Sequence, residues 1–145
     1  MELSICRSLA TSLPDDFYAP CLEVLIARGT GLRILPWNLF LSQNLKILAL
    51  SGCNLKELDV SIKELGALEV LRLDGCETLQ ELTTEISGLQ ELMALSIRQC
   101  YCLRRLPDSF ADLQKLLSMY VGCQNFSSLL TSVVQAVNMR VLDFS

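Results

Sequence analysis

Apolar residues recur along this chain at fixed intervals. The frame Leu-x-x-Leu-x-Leu-x-x-Cys occurs without a gap at Leu45-Leu48-Leu50-Cys53, Leu68-Leu71-Leu73-Cys76 and Leu92-Leu95-Ile97-Cys100. A Leu-x-x-Leu pair follows each copy: Leu55 and Leu58, Leu79 and Leu82, Leu103 and Leu106. Weaker copies flank these three. Upstream, Leu22-Leu25-Ala27-Thr30 runs on to Leu32 and Leu35-Pro36, and Leu3-Ile5-Ser8 runs on to Ala10 and Leu13-Pro14 as a half-copy. Downstream, Leu116-Met119-Val121 leads to Cys123, one residue early, and then to Phe126 and Leu129, after which Met139-Leu142-Phe144 opens a further copy. From Leu22 onward the first positions lie 23, 23, 24, 24 and 23 residues apart, a phase that chance does not hold.

Within each copy the Leu-x-Leu unit alternates inward and outward, which is the period of a β-strand. The return half carries apolar residues three apart, Ile62 and Leu65, Ile86 and Leu89, Phe110 and Leu113, a spacing that suits a 3-10 turn or one short helical turn. A unit of this size cannot bury its apolar face alone, so neighbouring copies must stack. The pattern predicts an α/β leucine-rich repeat solenoid, a right-handed β-α superhelix of about six to seven repeats of 23–24 residues. Short parallel strands line its concave face, and 3-10 or short helical turns line its convex face. Residues 1–145 are expected to form a single leucine-rich repeat domain, incomplete at both ends, because the frame opens on a partial repeat and closes on the first strand of another without polar caps.

Composition fits a core built from one side chain used repeatedly: leucine supplies 31 residues while aromatics make up only 6%. Twelve basic against 16 acidic residues leave a net charge of −4, and the longest basic block is Arg104-Arg105. Nucleic acid, which demands a clustered basic face, is therefore not expected as a partner. The N-terminus has no basic segment followed by an apolar one, so no signal peptide is expected. The uncharged stretch from Leu117 to Met139 contains Gln124, Asn125, Gln135 and Asn138 with five serines or threonines, too polar for a membrane span. The expectation is a soluble, cytoplasmic chain in which the Asn-Phe-Ser sequon at Asn125 stays unmodified.

Seven cysteines form an odd set without the Cys-x-x-Cys spacing of zinc sites, and the chain has no histidine. The slot eight residues after the first leucine, where a small side chain points inward and can donate to carbonyls left unpaired as the strand turns away, is mostly cysteine. Cys53, Cys76, Cys100 and the shifted Cys123 are expected to form a structural ladder of buried thiols. The competing reading of that row is a metal or redox line on strands about 4.8 Å apart; without histidine, neither a metal nor a cofactor is expected.

The wording of the repeats carries a further signal in Ser-Gly-Cys53, Asp-Gly-Cys76-Glu-Thr-Leu79 and Cys100-Tyr-Cys-Leu103-Arg-Arg-Leu106-Pro107-Asp-Ser-Phe. Over nearly the whole chain it resembles the leucine-rich-repeat region of plant intracellular nucleotide-binding immune receptors, the disease-resistance proteins. The Gly-x-Ile-Pro segment of extracellular plant repeats is absent, and the longer F-box repeats do not match. The resemblance implies a protein-binding module that recognises a protein ligand, or restrains a signalling domain of its parent receptor, in plant-type innate immunity. The chain departs from the parent pattern in lacking a Gly-x-x-x-x-Gly-Lys-Ser/Thr loop. A fragment, a truncated gene product and a small stand-alone relative all fit that departure.

Residues between and just after the strand leucines face the concave solvent and stack into columns. One column reads Ser4, Ile26, Ala49, Arg72, Ser96, Tyr120 and Asp143; the next reads Cys6, Arg28, Ser51, Asp74, Arg98, Gly122 and Ser145. The candidate ligand-binding residues are Arg28, Arg72, Asp74, Arg98, Tyr120 and Asp143, of which Arg and Tyr are types that anchor protein interfaces. The plainer reading is a solvated face on which Arg72, Asp74 and Arg98 merely form surface ion pairs. Val24, Ile26, Ile47 and Val70 make the N-terminal half of that face apolar. Trp37 is expected to pack into the core or cap an end, and the prolines after Leu13, Leu35 and Leu106 are expected to start the convex turns. Three functions compete: a binding module, a thiol enzyme using an exposed Cys6 or Cys102, and a scaffold or non-signalling remnant. The enzyme is disfavoured because no histidine base exists and buried thiols are poor nucleophiles.

Overall fold

The computed structural model describes residues 1–6, 12–122 and 138–144, the side chain of Cys6 excepted. Cys123, the sequon at Asn125, Phe126, Leu129, Ser8, Ala10 and Ser145 lie outside the described residues. The chain is a leucine-rich repeat solenoid with seven strands among the described residues: β1 (Glu2–Cys6), β2 (Val24–Arg28), β3 (Ile47–Ala49), β4 (Val70–Arg72), β5 (Ala94–Arg98), β6 (Ser118–Gly122) and β7 (Val141–Asp143). All are parallel and hydrogen-bonded in sequence order. Leu3, Leu25, Leu48, Leu71, Leu95, Met119 and Leu142 stand level across the sheet. Each of the five central members is 0% exposed, whereas Leu142 on the last strand is 36% exposed.

Each strand must turn sharply after its last inward residue. The chain does so through a residue with positive φ immediately before the thiol or hydroxyl slot: Gly29 (61°), Gly52 (71°), Gly75 (70°) and Gln99 (58°). Glycine suits this left-handed position. At Gly52 crowding adds a second reason, because a Cβ would stand 3.3 Å from the Cα of Gly29 one turn below.

Among the described residues, the return segments between β2 and β6 are 3-10 turns η1 (Trp37–Leu41), η2 (Val60–Glu64), η3 (Thr84–Gly88) and η4 (Asp108–Asp112), the tighter of the two forms expected. Their inward slots hold Leu39, Ile62, Ile86 and Phe110, all at 0% exposure. Pro36 and Pro107 stand at the N-caps of η1 and η4, where no side-chain cap forms. In the same slot Asp59 and Thr83 accept the amides of Ser61 (2.7 Å) and Glu85 (3.3 Å). Proline and a capping side chain are thus alternative solutions for starting one turn. Trp37 corrects the expectation of core packing: it is 68% exposed, because it opens η1 in the outward slot shared with Val60, Thr84 and Asp108, while Leu39 takes the inward one.

Adjacent turns are also laced together. Asn38 Nδ2 donates to the Asp15 carbonyl (2.7 Å), Ser42 Oγ to Ala19 (3.0 Å), Thr78 Oγ1 to Leu55 (2.8 Å) and Ser109 Oγ to Thr84 (2.7 Å). Each bond reaches one repeat back and satisfies a carbonyl that no strand neighbour can. Lys63–Glu85 and Lys115–Glu91 do the same on the surface with charges, though such exposed pairs contribute little.

Candidate concave recognition face

The register places the residues of one outward column on neighbouring strands. Ser4 pairs with Ile26, Ile26 with Ala49, Ala49 with Arg72, Arg72 with Ser96, Ser96 with Tyr120 and Tyr120 with Asp143. Arg28 and Arg98 extend β2 and β5 by two residues, and Asp74 stands just past β4. Between β4 and β6 the strands enclose a shallow depression of about 410 Å³ lined by Arg72, Asp74, Ser96, Arg98, Ser118 and Tyr120.

Within this depression the polar groups are tied to one another. Asp74 Oδ1 accepts from Ser96 Oγ (2.5 Å) and from the Arg98 backbone amide (2.9 Å). It therefore fixes the outer end of β5. The Arg98 guanidinium lies over the Tyr120 ring, 4.7 Å from its centroid, and donates to Asp143 Oδ2 at 2.5 Å, so one side chain spans three strands. The expected surface ion pairs of Asp74 with Arg72 or Arg98 are not what form. Asp74 is held by Ser96 and the Arg98 backbone, and Arg98 reaches across Tyr120 to Asp143. Arg28 and Arg72 are exposed, and neither side chain makes a hydrogen bond or ion pair among the described residues. Of the six candidates, Asp74, Arg98, Tyr120 and Asp143 are brought together; Arg72 lines the same depression without a side-chain bond to them, and Arg28 lies outside it. Sequence reading missed Ser96, which is 8% exposed; its signal was its place in the column beside Asp74.

On the opposite side of each strand, the thiol slot meets the carbonyls of the strand one turn below. Cys53 Sγ donates to the Ala27 carbonyl (3.2 Å), Cys76 Sγ to Leu50 (3.1 Å) and Cys100 Sγ to Leu73 (3.1 Å). Thr30 occupies the slot in the turn below and its Oγ1 lies 3.2 Å from Cys53 Sγ. Burial pushes the Cys53 thiol up against the opposing effect of the Thr30 hydrogen bonds, and pushes Cys76 from 9.0 up to about 12. A thiol is neutral when protonated, so a raised folded value means that the unfolded chain loses its proton first. Stability from Cys76 is thus constant below pH 9.0 and falls as pH rises from there toward about 12, by up to about 1.4 kcal/mol per unit. Urea titrations at several alkaline pH values are expected to show a shallower fall for Cys76→Ala than for wild type; equal slopes would remove Cys76 as the cause. Thiol labelling at neutral pH should modify exposed Cys21 and Cys102 while sparing Cys53, Cys76 and Cys100.

Among the described residues, no group of three His, Cys, Asp or Glu side chains is placed to hold a metal ion, and no helix is long and apolar enough to cross a membrane. No family model matches the chain, and no curated protein matches it. Solved structures do. The leucine-rich repeat domain of the type III effector XopL superposes with a TM-score of 0.76 and 32% identity over 84% of this chain and 42% of that one. A leucine-rich repeat protein of Leptospira interrogans superposes with a TM-score of 0.59 and 24% identity over 93% of this chain and 40% of that one. The chain thus spans about two-fifths of the length of either structure. What it shares with both is the solenoid.

Proposed function

We propose that this solenoid is a protein-binding module whose concave face recognises a protein ligand or holds a signalling domain. The observation that carries the reading is the face itself: Arg28 and Arg72 stand exposed on it without partners among the described residues, while Arg98, Tyr120 and Asp143 form a rigid polar block beside them. Because these residues sit on a sheet rather than on loops, binding orders side chains but no backbone. The wording of the repeats around Cys53, Cys76 and Cys100 supports a role in plant-type innate immunity in the cytoplasm, as part of a receptor or as a stand-alone relative. The 32% identity to an effector's repeat domain supports a second setting, an effector-type protein that uses the same face. A role as scaffold or truncated remnant predicts no partner at all.

Capture from native extract separates these readings. Wild-type chain and the convex variant Trp37→Ser, Val60→Ser are expected to retain the same partner, and the concave variant Arg72→Glu, Tyr120→Ser to lose most of it, with circular dichroism showing all three folded. Loss with the convex pair instead, or retention by the concave pair, would sink the proposal; capture by none would favour the remnant.

A further inference from the structure

Resting on that concave reading, we infer that the depression between β4 and β6 takes a carboxamide side chain, glutamine or asparagine, from an extended segment of a protein partner. Its charges set the chemistry. Three ionic side chains line it: Arg72, Asp74 and Arg98. Arg98 is already met by Asp143 and lies over Tyr120. That leaves one cation and one anion, two residues apart and turned to the same side of the sheet. The Arg72 side chain is exposed and makes no hydrogen bond or ion pair among the described residues. Asp74 is half-buried, and its Oδ1 accepts from two neutral donors, the Ser96 hydroxyl and the Arg98 backbone amide. Among the described residues no cation pairs with this carboxylate and its Oδ2 accepts nothing.

A ligand here must therefore satisfy a donor and an acceptor at once. A lone carboxylate that meets Arg72 is brought against Asp74, and a lone ammonium that meets Asp74 is brought against Arg72. Like-charge repulsion then cancels much of what either contact contributes. A carboxamide avoids both: its oxygen accepts from the guanidinium while its NH2 donates to Asp74 Oδ2, and each bond is charge-assisted. On strand dimensions the Cα atoms of Arg72 and Asp74 are about 7 Å apart, so one side chain entering between them reaches both. At about 410 Å³ the depression is at the low end of the range for ligand pockets, a size for side chains rather than for a whole helix. Val70 and Ala94, level with each other and two residues before Arg72 and Ser96, are half-buried in its wall. Residues i and i+2 of an extended segment project from one face about 7 Å apart, so an apolar side chain two positions from the carboxamide lies over them.

Chemical-shift mapping on the isotope-labelled full chain tests this with acetyl-Leu-Ser-Gln-Ser-N-methylamide, whose blocked ends carry neither charge nor primary amide. Versions with glutamate, lysine or alanine in place of the glutamine, and one with glutamate and lysine two residues apart, are compared. The glutamine peptide is expected to shift the amides of Arg72, Asp74, Ser96 and Arg98, to bind about tenfold more tightly than every other version, and to depend little on salt. Asp74→Asn, which keeps an acceptor for Ser96 and Arg98, should raise the affinity for the glutamate version about tenfold, and Arg72→Gln should do the same for the lysine version; circular dichroism checks that both variants are folded. Any other version bound by wild type as well as the glutamine peptide overturns the inference. So does a glutamate version indifferent to Asp74→Asn, or an unchanged spectrum at about 10 mM peptide, where even a weak contact registers. Any of these with capture still lost in the concave variant defeats the inference alone, whereas capture that maps to Trp37 and Val60 defeats the concave reading beneath it.

Discussion

Phe110→Ala is expected to lower the free energy of unfolding by about 3–5 kcal/mol. Phe110 sits in the inward slot of η4, is 0% exposed and is the bulkiest of the fully buried side chains. Its counterparts Leu39, Ile62 and Ile86 fill the same slot in the turns before it, so they cannot slide over to fill the space left by truncation. A solenoid adds the stabilities of its repeats and the interfaces between them. The loss should therefore fall on the turns around η4, and denaturant unfolding should become less cooperative rather than merely shift. Phe110→Leu is expected to cost far less, as it keeps most of the volume. An alanine variant within about 1 kcal/mol of wild type would mean that the convex layer closes over the gap, and that the sheet side alone carries the core.

The second large effect comes from adding an atom. At Gly88, the last residue of η3, a Cβ would stand 2.5 Å from the Cβ and 3.0 Å from the Cα of Lys63 in the turn below. Part of that obstruction is backbone, so it cannot swing aside as a side-chain tip would. Gly88→Ala should force η2 and η3 apart and destabilise by about 1–3 kcal/mol. Gly66 provides the control, since a Cβ there meets nothing within 4 Å. Its slot is occupied by Gln43 and Gln90 in the neighbouring repeats, so Gly66→Ala should be neutral or slightly stabilising. Thermal denaturation of the two variants decides the matter: equal melting temperatures would show that the close approach at Gly88 is relieved at no cost.

The strands, their parallel order and their register were legible because the leucine frame fixes both the face of each residue and its level in the stack. Ser4, Ile26, Ala49, Arg72, Ser96, Tyr120 and Asp143 align as the spacing requires. The convex turns were legible as a spacing of three, but their outward slot was not, since a tryptophan after proline reads as core by composition and only the inward position of Leu39 shows otherwise. The polar contacts were the least legible. Arg98 and Asp143 lie 45 residues and two strands apart, and whether the guanidinium crosses Tyr120 or turns to Arg72's side depends on rotamers that no periodicity encodes. The capping roles of Asp59 and Thr83 did have a signal, since they occupy the slot filled elsewhere by Pro36 and Pro107, but the signal appears only when the turns are aligned with one another.

The absence of any offset between strands has a consequence for how such a protein can change over generations. Because every turn re-enters the stack at the same level, a segment one period long, such as residues 68–91, could be copied or excised in frame without disturbing the fit of those on either side. The sheet would gain or lose one strand, about 4.8 Å of width, and each column one letter. Excising that particular period would remove Arg72 and Asp74 together and bring β3 against β5. Recombination between repeats is thus a route by which descendants of this chain could exchange one recognition surface for another in a single step, with point substitution left to refine it.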